Sequence, residues 1–438
     1  MDDNKTRLLA RALHRIRSTR PRVIASPPTQ PRRAAVALIV RVAPPPNFPL
    51  PPKPATPPSL TQFFDWEWVK HPSARPEILF VRRQKPERAD INENTRDAHV
   101  AFPGGRTEPG DEGSLYTAMR QTWEEIGLDL AESDYTCVGQ LDDREITTSL
   151  GKRLLMILSP FVFLQLTPTE TPTEPIPETT LHWVSLNSLY PERTSPSTFS
   201  QPLWSTVTVD TASRLAPRHS RVLRPLMHVL VGSMQFPALV LSNTVLATSG
   251  SLDDQRLRRS FHAESGALNP ALHPASASLY HRVNNAEPQA LKLWGLSLGM
   301  TLDLLSYMSP TPGVPLTPWD SDKLMGVEDV IEEDWDYKGN KRGRINAPPS
   351  LTSVFPRFSY PDVNFWIWVF GKRYRQVIRN WEASLRVSGT TDTRVNWTGV
   401  ALTTFYGAVR KALVVVLVLR AIGVLCGVTF AVWWVLRQ

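Results

Sequence analysis

The sequence predicts an α/β domain with long loop insertions, followed by one transmembrane helix near the C-terminus. Three observations lead there: β-branched apolar runs recur between residues 34 and 186, a helix follows a Gly-Gly turn, and about 25 apolar residues lie near the end. The 438 residues are 42% hydrophobic and 21% charged, which excludes collagen, a wholly disordered chain and a polytopic membrane protein. Cys137 and Cys426, the only two cysteines, lie in chemically unlike segments. They exclude a disulfide framework and fit a reducing compartment. A net charge of +8 suits anionic partners without choosing among phosphate-bearing metabolites, nucleic acid and acidic membrane. The 40 prolines, about 9% of the chain against a usual ~5%, predict a substantial share of linker.

Residues 1–33 read as a basic arm, with Leu8, Leu9, Ala12 and Leu13 set among Arg7, Arg11 and Arg15. A solvated arm is expected; a mitochondrial presequence or a peroxisomal signal are the targeting alternatives. The globular domain is expected over 34–308. Ala34–Ala43 and Ile78–Arg82 are strand-like, and the Pro-rich stretch between them, 44–76, reads as an insertion between neighbouring strands because proline lacks an amide donor. Ser114 is placed to cap a helix over Leu115–Ile126 that Gly127 ends. Strands follow at Tyr135–Gln140, Leu154–Leu166 and Leu181–Leu186, and an insertion covers 167–233. Asn285–Met308 is apolar at helical spacing, and 309–363 reads as a linker.

Ala412–Leu436 is apolar except for Arg420 and a few small polar positions, long enough for a bilayer span of roughly 20 residues. A central arginine costs on the order of 2.5–3.5 kcal/mol, and Arg420 is expected to snorkel toward Arg410. Upstream, in the juxtamembrane segment 364–411, Phe365–Phe370 followed by Lys372, Arg373 and Arg375 reads as interfacial, or as packing on the soluble domain. The expected localisation is a single-pass membrane protein with its catalytic domain in the cytosol, and mitochondrial or peroxisomal association stays open. The sequon Asn396-Trp-Thr398 would then go unused.

The chemistry is concentrated in Gly104–Leu128, GGRTEPGDEGSLYTAMRQTWEEIGL. A Gly-Gly turn lets backbone approach a ligand, and the helix after it brings Arg120, Gln121, Glu124 and Glu125 onto one broad face. Two adjacent carboxylates beside an oxygen-rich loop form a hard-cation site, which points to Mg²⁺ or Mn²⁺ bridging to substrate phosphates. A pyrophosphate needs its charge neutralised before water can attack phosphorus.

This stretch resembles the Nudix hydrolase box, in which a glycine, an acid and then Arg-Glu-hydrophobic-x-Glu-Glu-x-Gly-hydrophobic form a loop-helix-loop. Gly105 precedes Asp111 by five intervening residues, and Arg120–Leu128 aligns over the second half. The extra residue between Asp111 and Arg120, together with Phe102-Pro-Gly-Gly105 and Leu293-Trp-Gly-Leu296, resembles the coenzyme A diphosphatase branch, and the tryptophan-rich tail resembles fungal members. The resemblance implies an α/β/α sandwich and divalent-cation-dependent cleavage of a nucleoside diphosphate linked to another moiety. It makes Glu124, Glu125 and the Gly104 carbonyl the metal ligands, with Arg120, Gln121 and Glu125 as the catalytic group. Arg82, Arg96, Gly105 and Asp111 are then the substrate-binding candidates, Asp111 being equally suited to capping the helix.

Two departures stand out. Asn94 and Ala98 occupy positions where that branch has arginine and glycine, and Gln121 stands where the family has glutamate beside the arginine. An amide cannot take the proton of the attacking water, so a base would come from elsewhere, with Glu108, Glu112 and Glu178 as candidates. The expected function is cleavage of coenzyme A or acyl-CoA to 4′-phosphopantetheine and 3′,5′-ADP, acyl chains giving the membrane tail a rationale. The alternatives are sanitising an oxidised nucleoside triphosphate, or a catalytically impaired binding module at a membrane. A CoA-like nucleotide and the membrane are the expected partners; nucleic acid is not, and the oligomeric state stays open.

Overall fold

The computed structural model describes residues 5–25, 32–46, 48–49, 56–83, 98–147, 154–168, 173–177, 179–189, 192–193, 199–200, 204–210, 232–241, 291–308, 353–386 and 397–437. In chain order, α1 (Lys5–Ser18) precedes β1 (Arg33–Ala43), and α2 (Leu60–Asp65) and α3 (Glu67–Lys70) precede β2 (Arg75–Arg83). Next come β3 (Ala98–Ala101), β4 (Gly104–Arg106) and α4 (Ser114–Ile126), then β5 (Tyr135–Gln140), β6 (Arg144–Thr147), β7 (Leu154–Gln165) and β8 (Thr179–Ser185). They are followed by α5 (Leu186–Leu189), the pair β9 (Glu192–Arg193) and β10 (Phe199–Ser200), β11 (Trp204–Asp210), β12 (Ser233–Leu241), β13 (Leu291–Trp294) and α6 (Gly295–Met308). Finally come β14 (Arg357–Phe358), α7 (Pro361–Phe370), α8 (Lys372–Arg386) and α9 (Trp397–Arg437).

All described strands except β9 and β10 join one mixed sheet whose main path runs β11-β12-β13-β3-β2-β1-β7-β5. β1 lies antiparallel to β2, with Val40 opposite Ile78, and parallel to β7, with Ala34 opposite Leu158. The Pro-rich stretch thus joins two strands that pair with each other. Its later part is folded: Ser59 and Gln62 form a reciprocal capping box at the start of α2, and Phe63 and Trp68 are buried.

β1 shows why its sequence is apolar without alternation. Ala35, Ala37 and Ile39 pack with Ala118 and Ile126 of α4, while Leu38, Val40 and Val42 face a second cluster that includes Leu9 and Leu13 of α1 and Leu298 of α6. A strand buried on both faces reads as a continuous hydrophobic run. The result is an α/β/α sandwich.

Two expectations are corrected. The basic arm is not solvated: Leu8, Leu9, Ala12, Leu13 and Ile16 of α1 are buried, because the second face of the sheet needs a helical cover. Asp142 and Asp143 fasten the segment after it, accepting from the Arg22 and Ile24 amides at 2.9 Å. Asp143 also pairs with Arg33, so the Leu-Asp-Asp-Arg motif at 141–144 is a structural strap. Second, the run ending at Met308 is not helical throughout its described part. Leu291–Trp294 is a strand bridging β12 and β3, and the helix begins only at Gly295; sheet pairing outweighs helical spacing there.

Residues 353–363, expected as linker, attach to the sheet through β14 and bury Phe355 and Phe358 in a separate cluster with α7, α8 and the first half of α9. Past Val416 the character of α9 changes: Leu417–Leu419, Val424, Leu425, Phe430 and Trp433–Leu436 are exposed. Arg420 does not reach back toward Arg410. It pairs with Asp362 at 2.7 Å and lies over the Tyr360 ring, where the exposed half begins.

Candidate active site at the Gly104–Gly105 turn

β4 is pinned to β1, with Val36 opposite Gly104 and Ala34 opposite Arg106, and the Ala37 amide donates to the Pro103 carbonyl at 3.0 Å. Gly104 has φ +144°, and a Cβ there would collide with the Ala35 carbonyl; a Cβ at Gly105 would collide with the Gln121 side chain. The two glycines thus let the turn lie between the sheet and α4. The expected cap is corrected: Gly113 occupies the N-cap and Ser114 is the first helical residue.

Arg120 is the hub of the loop. It clamps Asp111 with two bonds, 2.7 Å to Oδ1 and 2.8 Å to Oδ2, reaches Glu124 at 2.8 Å and the Arg106 carbonyl at 3.3 Å, and lies 3.4 Å from Glu108. The Asp111 side chain is only 2% exposed; it also accepts from the Glu108 amide and the Thr117 hydroxyl, both at 2.9 Å. These donors, Arg120 foremost, hold its carboxyl well below the usual carboxylate range, and the pairing raises the Arg120 pKa in return.

The two candidate metal carboxylates have unlike surroundings. The Glu124 side chain is half exposed and accepts from Arg120 and, at 3.0 Å, from the Gln121 amide nitrogen. Glu125 is buried, and Arg83 holds it bidentately through Nε and Nη2. The Gly104 group facing Glu125 is its amide, 3.3 Å from Oε2. Gly127, at φ +67°, ends the helix, and residues of the Thr/Pro/Glu-rich insertion complete that end: the Glu174 and Ile176 amides donate to the Ile126 and Glu125 carbonyls, both at 3.0 Å.

The structure thus brings Gly104, Gly105, Asp111, Arg120, Gln121, Glu124 and Glu125 to one turn. It does not bring Arg82 there. Successive strand residues point to opposite faces; Arg83 lies on the α4 side with Glu125, whereas Arg82 lies near His182 and, together with burial, lowers the pKa of that histidine. Arg96 and Glu178 lie outside the described residues. Beside Arg83 a cavity of about 480 Å³ opens, and Arg144, Glu145, Trp294 and Tyr406 are among its lining residues. Arg83 as the partner of Glu125 could have been found from strand alternation, since Val81 and Arg83 share the face that meets α4. Arg144 and Tyr406 carry no local signal.

The donor set suits a hard divalent cation. Its oxygens are those of two carboxylates, both acids flank one turn, and each already balances a cationic guanidinium. Among the described residues no group of three or more His, Cys, Asp or Glu is placed to hold a metal ion.

Residues 60–201 match the sequence family described as the NUDIX domain. Residues 60–201 have the Nudix fold. Within the sandwich β1 and α1 precede the matched stretch and α6 follows it, so the folded unit is wider than the match. An uncharacterized protein of Schizosaccharomyces pombe is 28% identical over 223 residues, half of this chain; the chain spans 58% of that relative's length. Among solved structures, a Caenorhabditis elegans Ap4A hydrolase is 14% identical with a TM-score of 0.23, covering 36% of this chain and 82% of its own. A Nudix hydrolase from Mycobacterium smegmatis is 16% identical with a TM-score of 0.20, covering 36% and 72%.

Proposed function

We propose that this Nudix protein is a membrane-tethered hydrolase of a nucleoside diphosphate-linked substrate, with coenzyme A or an acyl derivative as the leading candidate. The observation that carries this reading is the pair Glu124 and Glu125 flanking the Gly104–Gly105 turn next to an open cavity. Glu124 and Glu125 would hold Mg²⁺ or Mn²⁺, which supplies neutralisation of the phosphate charge. Arg83, half exposed and paired with Glu125, would be available to the substrate phosphates where a cation takes its place at that carboxylate. Arg120 keeps Glu124 and the loop carrying Asp111 in place. Water attacks one phosphorus, the bridging P–O bond breaks, and the proton of the water goes to a carboxylate. Gln121 cannot accept it; Glu145, which lines the cavity with Arg83, is the leading acceptor, with Glu108 and Glu112 as the alternatives.

One helix, over Gly399–Arg437, is long and apolar enough to cross a membrane, and its most apolar window is only 6% buried. From Tyr406 at the cavity to Leu417, where the exposed half begins, a rise of 1.5 Å per residue gives about 17 Å. Gln121 supports a second reading, a binding module with reduced turnover.

Purified full-length protein in detergent, given Mg²⁺ or Mn²⁺ and a panel of CoA, ADP-ribose, NADH and oxidised dGTP, separates these readings. Release of 4′-phosphopantetheine and 3′,5′-ADP supports the leading candidate, and loss of it in Glu145→Gln supports the base. Tight binding without turnover of any of them supports the module.

A further inference from the structure

The rim where α9 leaves the folded body is apolar, and α7 forms part of it. α7 runs back along α9: Asp362 at its start pairs with Arg420, whereas Tyr374, just past its end, has its ring centroid 5.2 Å from that of Phe405. Its inner residues Val363 and Ile367 pack in one cluster with Val409, Ala412 and Val416. Asp362, Phe365 and Trp368 recur every three residues on the outer face, where Phe365 is 54% and Trp368 37% exposed. The polar side chains of α7 are spent within the protein. Asp362, its one charge, is matched by Arg420, and the buried Asn364 side chain serves both backbone groups of Phe358, at 2.9 and 2.7 Å. On α9, Val414, Leu417 and Val418 continue the exposed apolar surface upstream of Arg420. Cations come next on both sides: Lys372 and Arg373 on α8, Arg410 and Lys411 on α9, all exposed.

Length decides how far lipid reaches up this rim. At the far end Arg437 lies over the Trp433 ring at 4.3 Å, a cation and an aromatic as at a headgroup layer. At 1.5 Å per residue, Trp433 is about 18 Å from Ala421 and about 28 Å from Val414, while the hydrocarbon core is roughly 30 Å thick. A bilayer that stopped at Arg420 would be poorly matched to the helix; one that reaches Val414 fits it. At that depth an isolated arginine is costly, and one paired with a carboxylate is the tolerated form. Resting on the membrane-tether reading, we infer that α7 docks on the bilayer: Phe365 and Trp368 lie among acyl chains at the interface, Asp362 is the counter-ion of Arg420 there, and the exposed cations meet lipid phosphates. The body covers the rest of the rim through Met234 and Phe358, so α9 enters tilted, its open side toward lipid. The folded body is then held in one orientation on the membrane surface instead of swinging on a leash.

The test places one spin label at a time on the full chain in phosphatidylcholine vesicles. It reads collisions with oxygen, which enters lipid, and with a nickel chelate, which stays in water. Cys137→Ser leaves Cys426 as the probe of the span. Phe365→Cys on α7 and Thr403→Cys, at an exposed position near the start of α9, are made with both native cysteines replaced by serine. The Cys426 and Phe365→Cys labels collide with oxygen and are shielded from nickel, and the Thr403→Cys label shows the reverse. Adding Asp362→Asn shifts the Phe365→Cys label toward water, because an unpaired Arg420 draws the rim out of lipid, and adding Arg420→Leu to that shifts it back. A Phe365→Cys label as open to nickel as Thr403→Cys, or shielded from nickel and oxygen alike as in a protein contact, overturns the inference; so does an Asp362→Asn that shifts nothing. A shielded Cys426 with an open Phe365→Cys leaves the tether standing without the docking. An open Cys426 removes the tether, and the docking with it.

Discussion

Two arginines grip carboxylates on either side of the Gly104–Gly105 turn, and they do different work. Arg120 is 15% exposed and is bound to Asp111, Glu124 and the Arg106 carbonyl; Asp111 is itself sealed at 2% exposure. Arg83 is 46% exposed, stands at a cavity and holds Glu125. A buried clamp with many partners is costly to break, whereas a pair whose cation is half exposed at a cavity costs less to rearrange. The first builds the loop; the second is the cation that the proposed metal ion would replace.

Four substitutions sharpen or break that contrast. Glu125→Gln should have the largest effect: loss of several kcal/mol of charge stabilisation lowers turnover on the order of 10³-fold, read in a steady-state assay with Mn²⁺. Unchanged activity would remove Glu125 from the metal site. Gln121→Glu comes next. If no other carboxylate serves as base, restoring one raises turnover by ~10²-fold; if Glu145 serves, turnover does not rise, and Glu145→Gln abolishes it.

Asp111→Asn should cost about 2 kcal/mol of folding stability, because charged hydrogen bonds to Arg120 are lost, with a lower melting temperature as readout. The sign with pH follows from the depressed carboxyl. Its contribution is complete above the ordinary carboxylate range and fades as the pH falls through that range toward the folded value. The wild type should therefore lose stability on acidification more steeply than Asp111→Asn. Parallel curves would show that the clamp contributes nothing.

Arg83→Gln is the smallest. It should lower the melting temperature a little, because Glu125 is buried and loses its partner, and tighten Mn²⁺ binding roughly fivefold, since a pair whose cation is half exposed is worth about 1 kcal/mol. Weaker Mn²⁺ binding would mean that Arg83 supports the metal site rather than competing for it.

The legibility of the molecule divides along the same physical line. The turn, α4 and its acids were readable because glycine freedom, helix period and carboxylate pairing are local properties of consecutive residues. The strands β1, β5 and β7 were readable from β-branched runs. α1 was misread as a solvated arm because its basic face dominates the composition, while its buried face has meaning only once the sheet is there to be covered. Leu291–Trp294 was misread for a related reason: four residues were recruited as a strand by partners on either side, against their own spacing. Arg82 and Arg83 are adjacent in sequence and on opposite faces of β2, so only the register decides which of them meets Glu125. The cavity wall was not readable at all, since it joins β6, β13 and α9 across more than 250 residues of chain.

Direct Mn²⁺ titration of the full-length protein, followed by electron paramagnetic resonance, goes to the centre of the account. One Mn²⁺ should bind, and both Glu124→Gln and Glu125→Gln should weaken it by tenfold or more, while Glu108→Gln leaves it unchanged. Equal Mn²⁺ affinity in the wild type and the first two variants would contradict the assignment of these two acids as the metal site.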